Sequence, residues 1–407
     1  MTPLAASLRG VYRAYPQPFW VLWVGTLINR IGEFVVPLLG FYLTSERHMG
    51  ISEVSLILSM LGVGRFVAEA LSGPVSDRLG STPTMMLALG GGAAVLLALP
   101  AAPGFGGLLL GALAFSLLTA MYKPAASSAV AAMTTGGQRT RAYNLLYWAV
   151  NVGTSVAPAL GGWLSGFSFR LLFWLDAATM AAYALLLGLF GARNVRPGRK
   201  SGRGPSLLPR DALLWRFCLA SLLFALTYHS YRMLALVFVQ QGLTAVQYGQ
   251  ALSVNGLLVV GLGLPLGHVT SRSDHPRWQV WGAALLGAGF LIHAFAHTFA
   301  LHVLAVCIWS LGEIVSYSIG KSITAELACP ELRATYIGLV GSMSGLATLL
   351  APLLGGFLLA RYGNAPLWLT VAGLAFAAAL VFWRLEGALE QRRGENEQRA
   401  ALSAPRT

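Results

Sequence analysis

Of the ionisable residues in this sequence, those inside long apolar stretches are placed to do chemistry. A charge in lipid costs a few kcal/mol or more, so it normally faces the protein interior or a water-filled cavity. Glu313 sits in the middle of such a stretch, Trp309-Ser-Leu-Gly-Glu313-Ile-Val-Ser, with no basic residue three or four positions away. An acid so placed should be neutral part of the time, as a proton carrier must be. Arg30 and Glu33 are three residues apart and share one helix face. They either neutralise each other or form a second proton-exchanging site. Tyr228, His229, Tyr231 and Arg232 cluster in another apolar stretch. That group can bind an anion or gate an outer mouth, and His229 can titrate. Phe34, Tyr147, Trp148 and Trp309 either line a hydrophobic cavity or mark the bilayer interfaces. Aromatics with one or two acids suit lipophilic cations. Three charge placements read as structural: Asp176 as a cap or a partner of Arg170, Arg65 with Glu69 as a pair, and Lys321 as a snorkelling side chain.

The elements that position these residues follow from composition. The chain has 407 residues, 56% of them hydrophobic and 11% charged, against about 25% charged in a soluble domain. Lipid must cover much of such a surface, and 47 glycines allow membrane helices to approach closely. Cys218, Cys307 and Cys329 are scattered in apolar settings and suggest neither a disulfide framework nor a metal site. Stretches long enough to span a bilayer run near 19–43, 51–72, 83–102, 105–126, 142–165, 170–192, 212–239, 246–269, 278–297, 299–322, 334–361 and 364–384. The predicted fold is therefore all-α, with twelve transmembrane helices. Residues 193–211 read as a basic linker between an N-terminal bundle, 1–192, and a C-terminal bundle, 212–386, with a polar tail over 387–407. No cleavable signal peptide is evident, so the first helix is expected to remain.

With the N-terminus taken as cytoplasmic, 20 of the 28 Lys and Arg fall on that side. Only Arg47, Arg170 and Arg361 fall on the other, and Arg30, Arg65, Lys123, Arg232 and Lys321 lie within spans. This bias predicts both termini in the cytoplasm. It also accounts for the net charge of +13 without nucleic acid, since the basic loops face anionic lipid headgroups.

An internal repeat orders the helices. Gly73-Pro-Val-Ser-Asp-Arg78 resembles Gly267-His-Val-Thr-Ser-Arg272, and Ala157-Pro-Ala-Leu-Gly-Gly162 resembles Ala351-Pro-Leu-Leu-Gly-Gly356, both at an offset of 194. Arg139 maps to Arg333 at the same offset. Since that offset contains six spans, the two halves enter the membrane in the same direction.

At these residues the chain resembles the major facilitator superfamily over nearly its whole length. Gly73-Pro-Val-Ser-Asp77-Arg78-Leu-Gly80 matches that family's motif between the second and third helices, with Ser81 and Thr82 where a basic pair is usual. Asn151-Val-Gly153-Thr-Ser-Val-Ala-Pro158-Ala-Leu-Gly161-Gly162 looks like the fifth-helix signature of its drug/proton exporters. Asn29-Arg30-Ile-Gly-Glu33-Phe34, Tyr122-Lys123-Pro124 and Gly312-Glu313 resemble positions in bacterial multidrug/proton antiporters. The resemblance implies two pseudo-symmetric six-helix bundles in the inner membrane. It implies gating by Gly73, Asp77, Arg78, Gly80, Pro158, Gly161 and Gly162. Glu313 and Glu33 become the expected proton-coupling acids, with a substrate cavity of Asn29, Arg30, Phe34, Lys123, Tyr147, Trp148, His229, Arg232 and Trp309. Lys123 stands where the family often has an Arg that influences protonation.

Three functions compete. One is proton-driven export of lipophilic, cationic small molecules. Another is transport of one defined metabolite (a sugar, siderophore or amino-acid derivative), with Arg30, Lys123 and Arg232 holding an anionic group. The last is a membrane enzyme or receptor, but the chain has no H-E-x-x-H, G-x-S-x-G or phosphate-binding glycine loop and no soluble signalling domain. The expected partners are a small-molecule substrate, protons and the lipid bilayer, with no cofactor, no nucleic acid and a monomeric state.

Overall fold

The structure, a computed structural model, describes residues 12, 14–192, 211–273, 276–328 and 332–403. Every regular element among them is a helix. Backbone N–H and C=O groups find no water in a bilayer core, and a helix satisfies them within one segment. The first predicted span is broken into α1 (Gln17–Ile31) and α2 (Val35–Phe41), which runs into a wider π turn at Tyr42–Glu46. Then follow α3 (Ile51–Leu79), α4 (Ser81–Ala98), and the fourth span as α5 (Gly104–Ala120) with α6 (Tyr122–Met133). The fifth and sixth spans are α7 (Gly136–Ser165) and α8 (Phe169–Phe190). The seventh span is also broken, into α9 (Ala212–His229) and α10 (Leu234–Gln240) around the tight turn Ser230–Met233. Five long helices complete the chain: α11 (Ala245–Ser273), α12 (Arg277–Phe295), α13 (Phe299–Leu327), α14 (Arg333–Tyr362) and α15 (Asn364–Ser403).

Among the described residues, eleven of the twelve spans are long and apolar enough to cross a membrane. The other, α7, has 30 residues but carries Arg139, Arg141, Asn144, Asn151, Thr154 and Ser155. The fold is that of an all-α membrane protein of twelve helices in two six-helix halves. The repeat is visible in the helices themselves. α3 and α11 are each 29 residues long and start at 51 and 245. α7 and α14 each hold an internal proline, Pro158 and Pro352.

The described residues form two compact units. One draws on Met1–His48, Leu56–Gly202 and Tyr248–Gly256, the other on Met49–Ser55, Arg203–Gln247 and Leu257–Thr407. In the first, α1 packs on α7 and α8, and α4 on α8. In the second, α9 packs on α14 and α15 and α12 on α13 and α15. The core there draws Leu214 and Phe217 from α9, Ile319 and Ile323 from α13, and Ala378 and Phe382 from α15.

The predicted linker 193–211 lies outside the described residues except for Asp211. Over the predicted polar tail, α15 continues as far as Ser403. Its far end is tied back to its own unit. Asp211 caps α9, accepting from the amides of Leu213 and Leu214 at 3.0 and 3.4 Å. Its other oxygen accepts from the Tyr336 hydroxyl at 2.8 Å and from Arg392 at 3.0 Å. Arg277 pairs with Glu386, and Asn396 donates to the Glu326 carbonyl at 2.6 Å.

Burial alone would raise the pKa of Asp211, but the hydrogen bonds from Tyr336 and Arg392 outweigh it and hold the carboxyl below its ordinary value. A folded pKa below the unfolded one adds stability above the unfolded value, and that stability is lost as pH falls through the folded value. Asp211→Ala is therefore expected to lower stability in detergent at pH 7 by roughly 1–2 kcal/mol, the scale of a lost helix cap. Thermal unfolding of both proteins along a pH series checks this. The gap should close as pH falls below the ordinary carboxylate range, and a gap independent of pH contradicts the assignment.

Candidate functional site

The break in the first span creates a problem that the sixth span solves. α1 ends at Ile31, and the Gly32 amide still reaches the Ile28 carbonyl at 3.0 Å. The next amides have left the helical ladder; that of Phe34 turns to the Gly32 carbonyl at 2.9 Å. A helix start leaves its first amides without intrahelical partners. The carboxylate of Asp176, on α8, accepts from the Val35 amide at 3.1 Å and also from Phe34. Asp176 is 2% exposed. This corrects the expectation that it caps its own helix or pairs with Arg170. It lies two turns inside α8, beyond capping reach, and Ser168 caps that helix instead. Arg170 is exposed.

Beside the break, Arg30 and Glu33 form an ion pair, their side chains 26% and 31% exposed. A hydroxyl network lines the same place. The Tyr122 hydroxyl lies 2.8 Å from Thr26 Oγ1 and 2.8 Å from the Tyr183 hydroxyl, and Tyr183 donates to the Leu22 carbonyl at 2.9 Å. Both phenols are close enough to act electrostatically on Arg30. Sequence reasoning singled out Lys123, which is exposed, while the inward partner is its neighbour Tyr122. Asn29 is partly buried and Phe34 is buried.

In the second unit, the turn at Ser230–Met233 gathers the seventh-span cluster. Glu313 on α13 was expected to lack a nearby partner, from its own helix alone; the structure brings it a hydrogen bond with Tyr228 on α9. The Trp309 ring lies 6.5 Å from those of both Tyr228 and Tyr231 and stacks on Phe290 at 5.9 Å. Arg232 sits over the Tyr231 ring at 5.9 Å, a cation–π distance. Its Nε and Nη1 are buried without a hydrogen-bond partner among the described residues. His229 Nε2 is 3.0 Å from Ser344 Oγ and 3.3 Å from Thr348 Oγ1. A buried imidazole pair, His293 and His302, with Nδ1 atoms 2.9 Å apart, had no signal in the sequence.

The remaining predicted residues fall on helix ends and packing faces. Gly80, between α3 and α4, has φ +91°, a conformation that glycine adopts freely. Gly73, Asp77 and Arg78 are exposed near the end of α3. On α7, a side chain at Gly161 would meet Leu38 and Phe34. In the same unit, Ser253 Oγ accepts from the Ala159 amide at 3.0 Å, one residue past Pro158. A side chain at Gly249 would strike the Pro158 carbonyl and come within 3.2 Å of Gly162 Cα. Trp148 stacks on Trp23 at 6.0 Å, and Tyr147 and Trp148 are 50% and 49% exposed. The side chains of Glu69 and Lys321 lie outside the described residues.

Comparison with known proteins agrees with this architecture. A family model described as Major Facilitator Superfamily matches residues 22–318 and 230–406. The uncharacterised MFS-type transporter YqjV of Bacillus subtilis is 23% identical over 381 residues, covering 88% of this chain and 92% of that protein. Multidrug resistance protein MdtH of Aeromonas hydrophila subsp. hydrophila is 26% identical over 348 residues, covering 83% and 86%. A crystal structure of a POT family transporter in complex with 5-aminolevulinic acid shares the fold, with TM-score 0.78 at 14% identity over 93% of this chain and 99% of that one.

The contact between α1 and α7 gives a direct test. A side chain at Gly153 would collide with Cβ of Arg30 and come within 2.8 Å of its backbone carbonyl carbon. Gly153→Leu is expected to cost roughly 1–3 kcal/mol by overpacking, read as a lower melting temperature in detergent. A melting temperature equal to wild type would show that α7 does not press on Arg30.

Proposed function

The chain belongs to the Major Facilitator Superfamily, and from that premise we propose that this membrane transporter exports lipophilic, cationic small molecules in exchange for protons, by alternating access. The observation that carries this reading is Glu313. It is an acid in the middle of an apolar helix, hydrogen-bonded to the Tyr228 phenol, beside the rings of Tyr231 and Trp309. A carboxyl there can hold a proton or face a cation, and aromatic rings favour organic cations on their faces. Competition between a proton and a cationic substrate for one acid is the simplest basis for exchange. Glu33, paired with Arg30, is the second acid in this scheme. The name of the relative MdtH supports the multidrug reading.

The domain reading is likewise proposed: an N-terminal bundle, 1–192, and a C-terminal bundle, 212–386, act as the two rocking halves. The segment Gly73–Gly80 and the signature around Pro158, Gly161 and Gly162 act as gates. The charge bias supports cytoplasmic termini in the inner membrane, and the transport unit is taken as a monomer.

A second reading is favoured by one observation. Arg232 keeps two buried donor atoms without hydrogen-bond partners among the described residues, as a site for an anionic group would. In that case the cargo is one defined metabolite.

Efflux from proteoliposomes under an imposed pH gradient separates these readings. Several unrelated lipophilic cations are expected to move, and Glu313→Gln to lower that efflux roughly tenfold or more, the scale of one charge-assisted hydrogen bond. Transport that survives collapse of the gradient rejects proton coupling. Saturable movement of a single anion, lost in Arg232→Gln, selects the second reading.

A further inference from the structure

The first unit brings two acids and one base to a single place, with Asp176 buried and Arg30 and Glu33 partly exposed. Arg30 and Glu33 flank the end of α1, and Asp176 reaches the same backbone from α8. The amides Asp176 holds belong to Phe34 and Val35, the two residues that follow Glu33. Both Arg30 and Glu33 are close enough to act on it electrostatically. Among the described residues, the other polar groups at this place include the hydroxyls of Tyr122 and Tyr183 around Arg30, that of Thr26 bonded to both, and that of Thr179, which donates to the Asp176 carbonyl at 2.8 Å. Arg170, on the same helix as Asp176, is exposed.

We propose that Asp176 is a positioning residue for proton coupling, anchoring the broken backbone that presents Glu33 and sharing one exchangeable proton with it about Arg30. This rests on the proton-coupled reading above and adds a second acid to its N-terminal site.

The argument is one of charge. Two carboxylates and one guanidinium carry a net negative charge when all are ionised. An uncompensated charge in the low-dielectric interior is expensive, so one proton completes the set. Glu33 and Asp176 act on each other electrostatically, so a negative charge on one disfavours a negative charge on the other. The set opens outward at Arg30 and Glu33, whose side chains are 26% and 31% exposed, whereas Asp176 is 2% exposed. Glu33 is thus the door for the proton, and Asp176 is the inner acid that requires it. Asp176 also fixes the door, because its hydrogen bonds hold the backbone at Phe34 and Val35.

The test uses the full chain in proteoliposomes and in detergent. In Asp176→Asn the side-chain carbonyl still accepts from the amides, so the protein is expected to assemble normally. With one acid left, Glu33 and Arg30 already balance, and protonating Glu33 means breaking that pair. The midpoint of gradient-driven efflux against external pH is therefore expected to move roughly one unit to lower pH. In Asp176→Ala the amides of Phe34 and Val35 are expected to exchange with deuterium roughly tenfold faster. A wild-type pH profile in Asp176→Asn overturns the shared proton, and unchanged exchange in Asp176→Ala overturns the anchor. If Asp176→Asn fails to assemble, Glu33→Gln reads the same proton with the anchor intact; an unchanged midpoint there overturns the proposal. Glu313→Gln, measured alongside, keeps the two claims apart. Loss of efflux in Glu313→Gln with a wild-type profile in Asp176→Asn removes only this inference, whereas wild-type efflux in Glu313→Gln removes the coupling reading itself.

Discussion

In the core of a bilayer, a backbone amide that leaves its helix must find another partner within the protein. Much of what is distinctive in this chain follows from that requirement at two places. The first and seventh spans are both interrupted, at Gly32–Phe34 and at Ser230–Met233. At the first interruption the missing partner is a carboxylate from another helix, Asp176, 141 residues away in sequence. At the second, a tight turn keeps the amides bonded within the span, and the Ser230 hydroxyl donates back to the Leu226 carbonyl at 2.8 Å. Each interruption lies beside ionisable residues, Arg30 and Glu33 in one unit, His229 and Arg232 in the other. Interrupted membrane helices are tolerated where the freed backbone is buried in protein or lines a cavity, so these are natural places for ion and substrate chemistry.

Packing around the interruptions is set by residue size. Gly25 and Gly153 let the Tyr183 ring and the backbone of Arg30 occupy space that any side chain would fill. The fifth-helix signature is thus a packing device, and its glycines bring α7 against the segment carrying the ion pair. Among the described residues, α7 is also the one span that is not apolar enough to cross a membrane by composition. Its polar side chains bond to their own backbone: Asn151 Nδ2 donates to the Tyr147 carbonyl at 2.7 Å and Ser155 Oγ to the Asn151 carbonyl at 2.6 Å.

The spans, the repeat and the family were legible in the sequence because each depends on short-range pattern. Apolar length marks a helix, and a fixed spacing marks duplication. The second interruption was not legible, because it contains no proline; the first had a signal that went unread, Pro37, which has no N–H for the Glu33 carbonyl four residues back and crowds it. Gly32 and Ser230 are common within membrane helices. The partner of Asp176 was missed for a related reason. From sequence its nearest cation is Arg170, whereas the structure gives it backbone amides, which carry no signature at all. Glu313 was read correctly as an acid in an apolar helix, but its hydrogen bond to Tyr228 joins residues that only the folded bundle brings together.

The two acids differ in what protonation does to them. A phenol donates to a carboxylate and, by turning its hydroxyl, accepts from a carboxylic acid. Glu313 can therefore gain a proton and keep Tyr228. A guanidinium has donors only, so a neutralised Glu33 would weaken its bond to Arg30 and leave a partly buried cation seeking compensation. Asp176 is the nearby group that can supply it. The consequences are unequal. In the proposed exchange, proton uptake at Glu313 would alter charge with little rearrangement, as competition between cations and protons for one site requires. In the proposed exchange, proton uptake at Glu33 would redistribute ionic contacts where the first span is interrupted, and so convert a change of charge into a force on the backbone.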